Sequence, residues 1–591
     1  MRISRFTIPR EVPVAEKPAS ETDQEKNVAG NQEAHNNGAD DEDAIDVHAQ
    51  AGVQKIEAVT KVWSRSHLIL AYVFIWIIYF VDSMQSGMSS LLTPYVTSAF
   101  SLHSLTAATG VMSQIIGGIS KLPLAKILDV WGRPQGFLVV VLSMTLGLIM
   151  MAACNNVETY AAAQVFYWVG YNGISYSLSV FIADTSSLKN RALMLAYVTS
   201  PYIITVWITA PVANDLIYGS MIGWRWGFGI FSIITPIMCL PLFFLFTWNY
   251  SKARKAGLAV KRDSGRSTFQ SIKYYFWEFD IICLIMLCAG FALFLLPFNI
   301  WSYQYYGWRD PLTICMIIFG GLLLIAAVLW EKYFAPVKFM PWELLMDRTV
   351  LGACILAAIL FVEYYIWTAY FSSFLQAGMN LNLTQTGYIS NIYSMGACVS
   401  SIIVGILIRW TGRFKWITLY FGMPLTILSI GLLIHFREPG TKVGYIIMCE
   451  ILYAFAGGAC VIGEQLAVMA AAAHQHVAVV LAVEGMFTSI GGAIGSTIAS
   501  AIWTAVFPQR LAEYLPPESL GDLDTIYESL PAQLSYPIGS PTRDAIIKAY
   551  GEAQKWMFVA ATAISGVGIV CIAVWRDLRV KEVKQVKGRV V

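Results

Sequence analysis

From Ser66 onward, apolar runs long enough to cross a bilayer follow one another almost without pause. A hydrocarbon core of about 30 Å takes about 20 residues of helix. Runs of that order occupy 67–92, 105–128, 136–154, 158–183, 193–217, 226–248, 278–298, 312–330, 350–374, 385–408, 415–434, 443–471, 477–505 and 554–575, fourteen in all. They are continuous and lack the alternation of barrel strands, so they predict helices. The expected fold is an all-α polytopic membrane protein with 14 transmembrane helices. Composition agrees: 57% of the 591 residues are hydrophobic and only 13% charged, against about 25% charged in soluble domains. A net charge of +2 gives no footprint for nucleic acid. The ten cysteines are scattered through apolar runs with no CxxC pair, which suits small buried hydrophobes better than disulfides or zinc ligands. The seven histidines form no metal-ligating pattern, and nothing resembles a P-loop. No cofactor, no metal site and no enzymatic activity are expected.

Residues 1–62 are polar, carry the acidic run Asp40, Asp41, Glu42 and Asp43, and show no apolar core after Met1 and Arg2. They predict a disordered cytoplasmic segment rather than a cleavable signal peptide. With that end inside, the inner connections carry 23 Lys and Arg and the outer ones 7. This asymmetry supports an even number of spans with both termini in the cytoplasm, the chain ending in a basic tail at 576–591. The 507–553 connection reads as one long outer loop, acidic and Tyr-bearing. The sequon at Asn382 falls outside and is a glycosylation candidate; the one at Asn249 falls inside and should stay bare. So short a motif also occurs by chance.

Between the second and third spans lies Ala125-Lys-Ile-Leu-Asp129-Val-Trp-Gly132-Arg133. It resembles the loop motif G-x-x-x-D-R-x-G-R of the major facilitator superfamily at Asp129, Gly132 and Arg133, with Ala125 and Val130 departing from it. Gly permits a tight turn, and Asp and Arg can pair across helix ends to latch one conformer. An ordinary positively charged inner loop would look similar. A second copy, Gly405-Ile-Leu-Ile-Arg409-Trp-Thr-Gly412-Arg413, repeats the spacing with Arg409 in the Asp position. The resemblance implies two six-helix bundles with two extra helices between them. The halves would be 66–250 and 350–575, and the insert with its cytoplasmic loop 251–349. The second motif then follows the second helix of the second half, as the first does in the first half.

Fourteen-span members of that superfamily include drug:proton antiporters and fungal siderophore–iron transporters. The fifth span, around Trp207-Ile-Thr-Ala-Pro211, has the antiporter Pro without its glycines. Three stretches are similar to the siderophore–iron group: Ile182-Ala-Asp184-Thr-Ser-Ser-Leu-Lys-Asn-Arg191, Gly223-Trp-Arg225-Trp-Gly-Phe, and Tyr370-Phe-Ser-Ser-Phe-Leu-Gln376. The resemblance spans about residues 65–580. It implies proton-coupled import of ferric hydroxamate siderophores at the plasma membrane, or in endosomal vesicles. A monomer in the lipid bilayer is expected. Asp184 with Arg191 reads as a cytoplasmic latch.

An ionisable side chain in hydrocarbon costs at least about 2.5–3.5 kcal/mol. By the resemblance the first and fourth helices of each half line the cavity, and the membrane carboxylates fall largely there. Asp82 begins a stripe with Gln85, Ser86 and Ser89, which suits either a cavity wall or a helix-packing seam. Glu363 shares a face with Trp367 and Tyr370, while Glu450 and Glu464 lie nearly four turns apart on one face. Glu484 lies near the depth of Glu464. Desolvation disfavours an ionised carboxylate, so such groups can carry a proton, and Asp82 and Glu363 lead the candidates. Span four offers Gln164, Tyr167, Tyr171, Asn172 and Ser175, but Phe166 stands where many proton-coupled relatives hold Arg. A ferric trihydroxamate has its iron filled by six oxygens and presents an amide-rich surface. Its site should therefore offer aromatic and amide groups rather than metal ligands. Tyr167, Tyr171, Tyr364, Trp367 and Tyr370 fit that role, and packing or lipid-facing aromatics fit the same positions. At the outer mouth Tyr514, Tyr527, Tyr536 and Tyr550 are candidates, in a loop the resemblance ties to recognition and a solvated linker would also explain.

Two rivals stand beside the importer. One is a drug or toxin exporter working by proton antiport. The other is a non-transporting nutrient sensor, for which the 62-residue head and short tail are poor signalling extensions.

Overall fold

The computed structural model describes residues 51–100, 108–219, 223–257, 267–301, 304–338, 342–472 and 476–581. The expected disordered head up to residue 50 and the tail from 582 lie outside them. Among the described residues the regular elements are helices. Helix α1 (Ala51–Val62) precedes the first apolar run. The first half contains α2 (Arg65–Ala99), α3 (Ala108–Ile119) with α4 (Lys121–Val130), α5 (Arg133–Ala153), α6 (Val157–Thr185), α7 (Leu188–Thr199) with α8 (Tyr202–Asn214), and α9 (Trp224–Lys255). The insert is α10 (Thr268–Glu278), α11 (Ile281–Leu295) with α12 (Pro297–Ile300), α13 (Pro311–Leu329) and the short α14 (Trp342–Leu345). The second half has α15 (Arg348–Thr368) with α16 (Phe371–Ser373), α17 (Leu383–Ser390) with α18 (Ile392–Thr411), α19 (Lys415–Ile417) with α20 (Met423–Phe436), α21 (Val443–Ala471) and α22 (Val477–Tyr514). Two short helices, α23 (Leu523–Glu528) and α24 (Leu530–Ser535), lead to the last span, α25 (Pro541–Ala573). The end at which α2 starts is termed the head end, the opposite one the loop end.

Among the described residues twelve helices are long and apolar enough to cross a membrane, or thirteen if Phe269–Glu278 and Ile281–Leu295, bent by 51°, form one span. The fourteenth expected span coincides with α6. It is 29 residues long, ample for a 30 Å core at about 1.5 Å per residue. It falls short in apolarity because Gln164, Tyr167, Tyr171, Asn172 and several serines line it.

The halves meet along two seams, α3 and α4 against α22, and α7 and α8 against α17 and α18. The insert packs outside the first seam, α11 on α3 and α12 on α22. Close approach inside the second half depends on Gly491 and Gly495: a Cβ at either would collide with the α15 backbone at Ala358 or Val362. That is the physical use of this GxxxG pair.

Two expectations are corrected. The last dozen residues of the head, Ala51–Val62, are helical rather than disordered. Ile56, Ala58 and Val59 are buried, and the adjoining Trp63 packs its ring against Phe181 and Phe246 at 5.7 and 6.2 Å. Apolar residues at helical spacing within a polar sequence supply that burial. The 507–553 loop is also shorter than expected, because α22 continues to Tyr514 and α25 starts at Pro541. Phe507, Leu511, Ile546 and Tyr550 are fully buried, so amphipathic helix extends beyond the apolar runs.

Candidate functional site

The site is built from serine- and aromatic-rich faces of α2, α6, α15 and α21, turned toward one another between the halves. A cavity of about 280 Å³ lies toward the loop end, and a second of about 370 Å³ toward the head end. Tyr202, Tyr393 and Ser394 line both and form the constriction between them. The Tyr202 and Tyr171 hydroxyls are 2.9 Å apart, and the Tyr393 ring lies 5.1 Å from Tyr364 and 4.9 Å from Tyr453. Bridges between the halves stand at both ends. At the loop end Tyr95 Oη donates to Gln376 Oε1 at 2.7 Å. At the head end Tyr176 Oη donates to the Ala478 carbonyl at 2.7 Å, and Lys121 Nζ to the Gly485 carbonyl at 3.0 Å.

Of the carboxylates, three line the cavities. Glu450 faces the loop-end cavity, and its Oε1 has no hydrogen-bond partner among the described residues. Glu464 and Glu484 line the head-end cavity; Glu464 Oε2 is likewise unpartnered, and Glu484 accepts from Thr488 Oγ1 at 3.1 Å. Glu450 and Glu464 thus use one face of α21, about 21 Å apart along its axis. Asp82 and Glu363 are buried behind the cavity walls. Asp82 lies within electrostatic reach of Tyr79, Tyr167, Tyr171 and Tyr202, and both its oxygens lack a partner among the described residues. Glu363 accepts from Tyr453 Oη at 3.0 Å and Ser565 Oγ at 3.5 Å, inside the second half.

The α2 stripe is therefore split. Ser86 and Ser89 line the cavity, whereas Gln85 turns to α9 and accepts from Thr235 at 3.2 Å. On α6, Gln164 and Tyr167 line the loop-end cavity and Asn172 the head-end one. Gln164 donates to Tyr160 Oη at 2.8 Å and accepts from Trp168 Nε1 at 2.9 Å. Tyr171 stands behind them, 5.9 Å from the Tyr167 ring. Tyr364 and Trp367 line the loop-end cavity. Tyr370 does not share their face, because α15 breaks after Thr368; its ring stacks on Trp503 at 4.3 Å, away from the cavity.

The loop tyrosines divide. Tyr550 is a core residue of α25, its hydroxyl donating to Gln533 Oε1 at 2.8 Å. Tyr527 lies 6.3 Å from Phe507, Tyr514 ends α22, and half-buried Tyr536 donates to Asp522 at 3.2 Å, burial and that carboxylate both raising its phenol above the ordinary value. The connection between α22 and α25 docks on the bundle rather than hanging free. The Leu530 amide donates to Ser98 Oγ at 3.4 Å, Arg543 donates to Asn380 Oδ1 at 3.0 Å, and Arg543 also donates to the Gln533 carbonyl. Asn382 is exposed at the same end, its Oδ1 capping α17 by accepting from the Gln385 amide at 2.8 Å.

At the head end Arg133 joins two carboxylates, Asp129 at 2.9 Å and Asp184 at 3.0 Å, all three buried. Gly132, at φ +119°, makes the turn that brings Arg133 back. Arg191 lies within electrostatic reach of Asp184 and donates to the Ala183 and Ser186 carbonyls at 3.0 and 3.3 Å. The second motif copy forms no such cluster. Arg409, in the Asp position, is exposed, and Arg413 reaches Asp577 at only 3.9 Å on the surface. A cation cannot accept the bond the first copy relies on.

Sequence reasoning missed Lys121, a buried cation lining the head-end cavity within electrostatic reach of Glu484. A lone Lys inside the 105–128 run carried the same signal as the carboxylates. It also missed the constriction tyrosines Tyr202 and Tyr393, which no local pattern marks. One trio of ligand-type side chains converges elsewhere among the described residues, Asp280, Cys283 and Glu331 in the insert. There Asp280 caps α11 and accepts from Trp330 Nε1 at 3.0 Å.

Residues 75–338 and 304–496 match the Major Facilitator Superfamily model. The MFS siderochrome iron transporter 1 of Ajellomyces capsulatus is 64% identical over 552 residues, 93% of this chain and 94% of that one. Siderochrome iron transporter 2 of Aspergillus fumigatus is 44% identical, over 91% of this chain and 88% of its own. Siderophore iron transporter mirB of Emericella nidulans is 41% identical, over 98% and 95%. Among solved structures, the inward-facing bacterial homologue of the human lysosomal transporter Spinster aligns with a TM-score of 0.55 over 87% of this chain and 98% of that chain. At 11% identity it is a likeness of fold alone. The chain belongs to the siderophore–iron transporter family of the major facilitator superfamily.

Proposed function

We propose that this protein imports ferric hydroxamate siderophores by proton symport, its two halves rocking about the central cavities. The relatives' names, siderochrome and siderophore iron transporters, support siderophore iron as the cargo. The observation that carries the mechanism is a carboxylate, Glu450, facing a cavity walled mainly by hydroxyl, amide and aromatic groups. Such walls suit a bulky complex whose iron is already coordinated and whose surface is amide-rich. Each cavity alone is near the lower end of the roughly 300–1,000 Å³ used by drug-sized ligands. A siderophore therefore needs the Tyr202–Tyr393 constriction to part, which couples passage to the movement of the halves. Cavity-facing Glu450, Glu464 and Glu484 carry the proton between states, with Asp82 and Glu363 behind the walls as relay positions. The Asp129–Arg133–Asp184 cluster, with Arg191 beside it, latches the head end.

The protein acts as a monomer in the plasma membrane with both termini in the cytoplasm. That orientation places Asn382 outside, where a glycan would attach to its Nδ2 while Oδ1 keeps the cap; a glycosidase-sensitive mobility shift, lost in Asn382→Gln, checks it.

Expression in yeast lacking its own siderophore uptake, fed labelled ferric siderophores, tests the function. Accumulation that collapses with a protonophore is expected. No uptake of any ferric hydroxamate, together with acquired drug resistance, would reverse the reading to an exporter. Asp82→Asn separates the roles of the carboxylates. Lost accumulation at intact surface expression puts Asp82 in the relay, and normal accumulation leaves the cavity-facing glutamates.

A further inference from the structure

Helix α10 carries large apolar side chains that none of the described residues covers. Phe269, Ile272 and Phe276 are 77%, 63% and 40% exposed. Their spacing, i, i+3 and i+7, puts them on one face of an 11-residue helix. The opposite face is occupied. Tyr275 meets Trp131 edge-on at 5.7 Å, and Glu278 holds Lys126 through its carbonyl and, at 3.7 Å, its carboxylate. The helix is thus fixed to the α4–α5 turn by one side and presents the other outward.

Its depth in the bundle is also fixed. From Ile281 to Ile300, α11 and α12 supply about 20 residues, enough for a membrane crossing by themselves. Helix α10 is bent 51° away from α11. The break falls at Asp280, whose φ of +36° is left-handed and whose carboxylate caps α11 and accepts from Trp330 Nε1. Trp330 ends α13 at the same level. At that end too, Lys252 lies over the 65%-exposed Trp248 ring at 6.0 Å. Trp and Tyr beside Lys at helix ends mark a bilayer's polar boundary. The charge there is basic: Lys252, Arg254 and Lys255 close α9, and exposed Lys273 flanks the apolar face of α10.

We propose that α10 is an interfacial helix whose Phe269, Ile272 and Phe276 face inserts at the boundary of the bilayer while the surrounding lysines and arginines bind an anionic lipid headgroup surface. An apolar face backed by cations is the combination that such a surface retains. Because α10 also grips Lys126 and Trp131, it ties that surface to the turn carrying Asp129 and Arg133. The inference is independent of what the protein transports.

The test uses the full-length protein in vesicles of phosphatidylcholine, with or without phosphatidylserine. A photo-crosslinking amino acid is placed at Phe269, Ile272 or, on the opposite face, Ser271. Positions 269 and 272 should label phospholipid and position 271 the protein itself. Phosphatidylserine should raise lipid labelling by about fivefold for each basic side chain engaged. Lys252→Gln with Lys255→Gln and Lys273→Gln should reduce that rise while leaving basal labelling. Labelling of a second copy or of no lipid at 269 and 272 overturns the interfacial assignment. Labelling indifferent to phosphatidylserine, or a rise that survives the triple substitution, overturns the anionic surface.

Discussion

At the scale of single residues, ionisable groups in apolar surroundings set the terms. Arg133 neutralises Asp129 and Asp184 with direct bonds in a buried setting. Removing one member of such a cluster leaves an uncompensated charge, at a cost of about 3–5 kcal/mol. Arg133→Ala should therefore lower the thermal unfolding midpoint in detergent by several degrees, read by a thiol-independent melting assay. An unchanged midpoint means that neighbouring groups take over the compensation. Glu450→Gln keeps size and hydrogen bonding but cannot give up a proton. Accumulation in yeast should fall at least about tenfold at normal surface expression, within the range seen when a positioned proton donor is removed. Uptake near the parent level would take Glu450 out of the proton path. Lys121→Gln retains a donor for the Gly485 carbonyl but no charge facing Glu484, so a loss of uptake there reads the charge and not the hydrogen bond.

At the scale of elements, helix lengths and contacts come from amphipathic continuations as much as from apolar runs. The run at 477–505 is a 38-residue helix because Phe507 and Leu511 continue its buried face past polar neighbours. The α15–α22 contact is as close as two backbones allow, so Gly491→Leu should prevent folding and abolish the purified yield, whereas Gly566→Ala, with open space around its Cβ, should leave yield unchanged. Comparable yields from the two would contradict the packing. Helix α1 is held by buried Ile56, Ala58 and Val59 and by the adjoining Trp63. Trp63→Ala should cost about 3–5 kcal/mol, as for other buried large aromatics, and expose the 51–62 segment to protease.

For the whole molecule, the bonds that matter join the two halves. Tyr95 to Gln376 at one end and Tyr176 to Ala478 at the other cannot all persist if the halves rock. Tyr95→Phe and Gln376→Leu delete the same bond, so their effects on uptake rate should be non-additive. Full additivity would mean that the two side chains act separately. The apolar runs alone determined a multi-helix membrane protein, because hydrocarbon admits few backbone solutions. The spacing of the Asp129–Arg133 motif likewise marked the turn that the fold uses. Which carboxylates face a cavity was decided only by tertiary structure. A periodicity argument gives the face of a straight helix, but α15 breaks after Thr368 and carries Tyr370 off the face of Trp367. On the α2 stripe, neighbours from α9 rather than spacing turned Gln85 away from Ser86. Sequence fixes what a residue can do chemically; the partners that surround it come from segments far along the chain, 90 positions away for Glu363 with Tyr453 and 281 for Tyr95 with Gln376, and no local pattern encodes them.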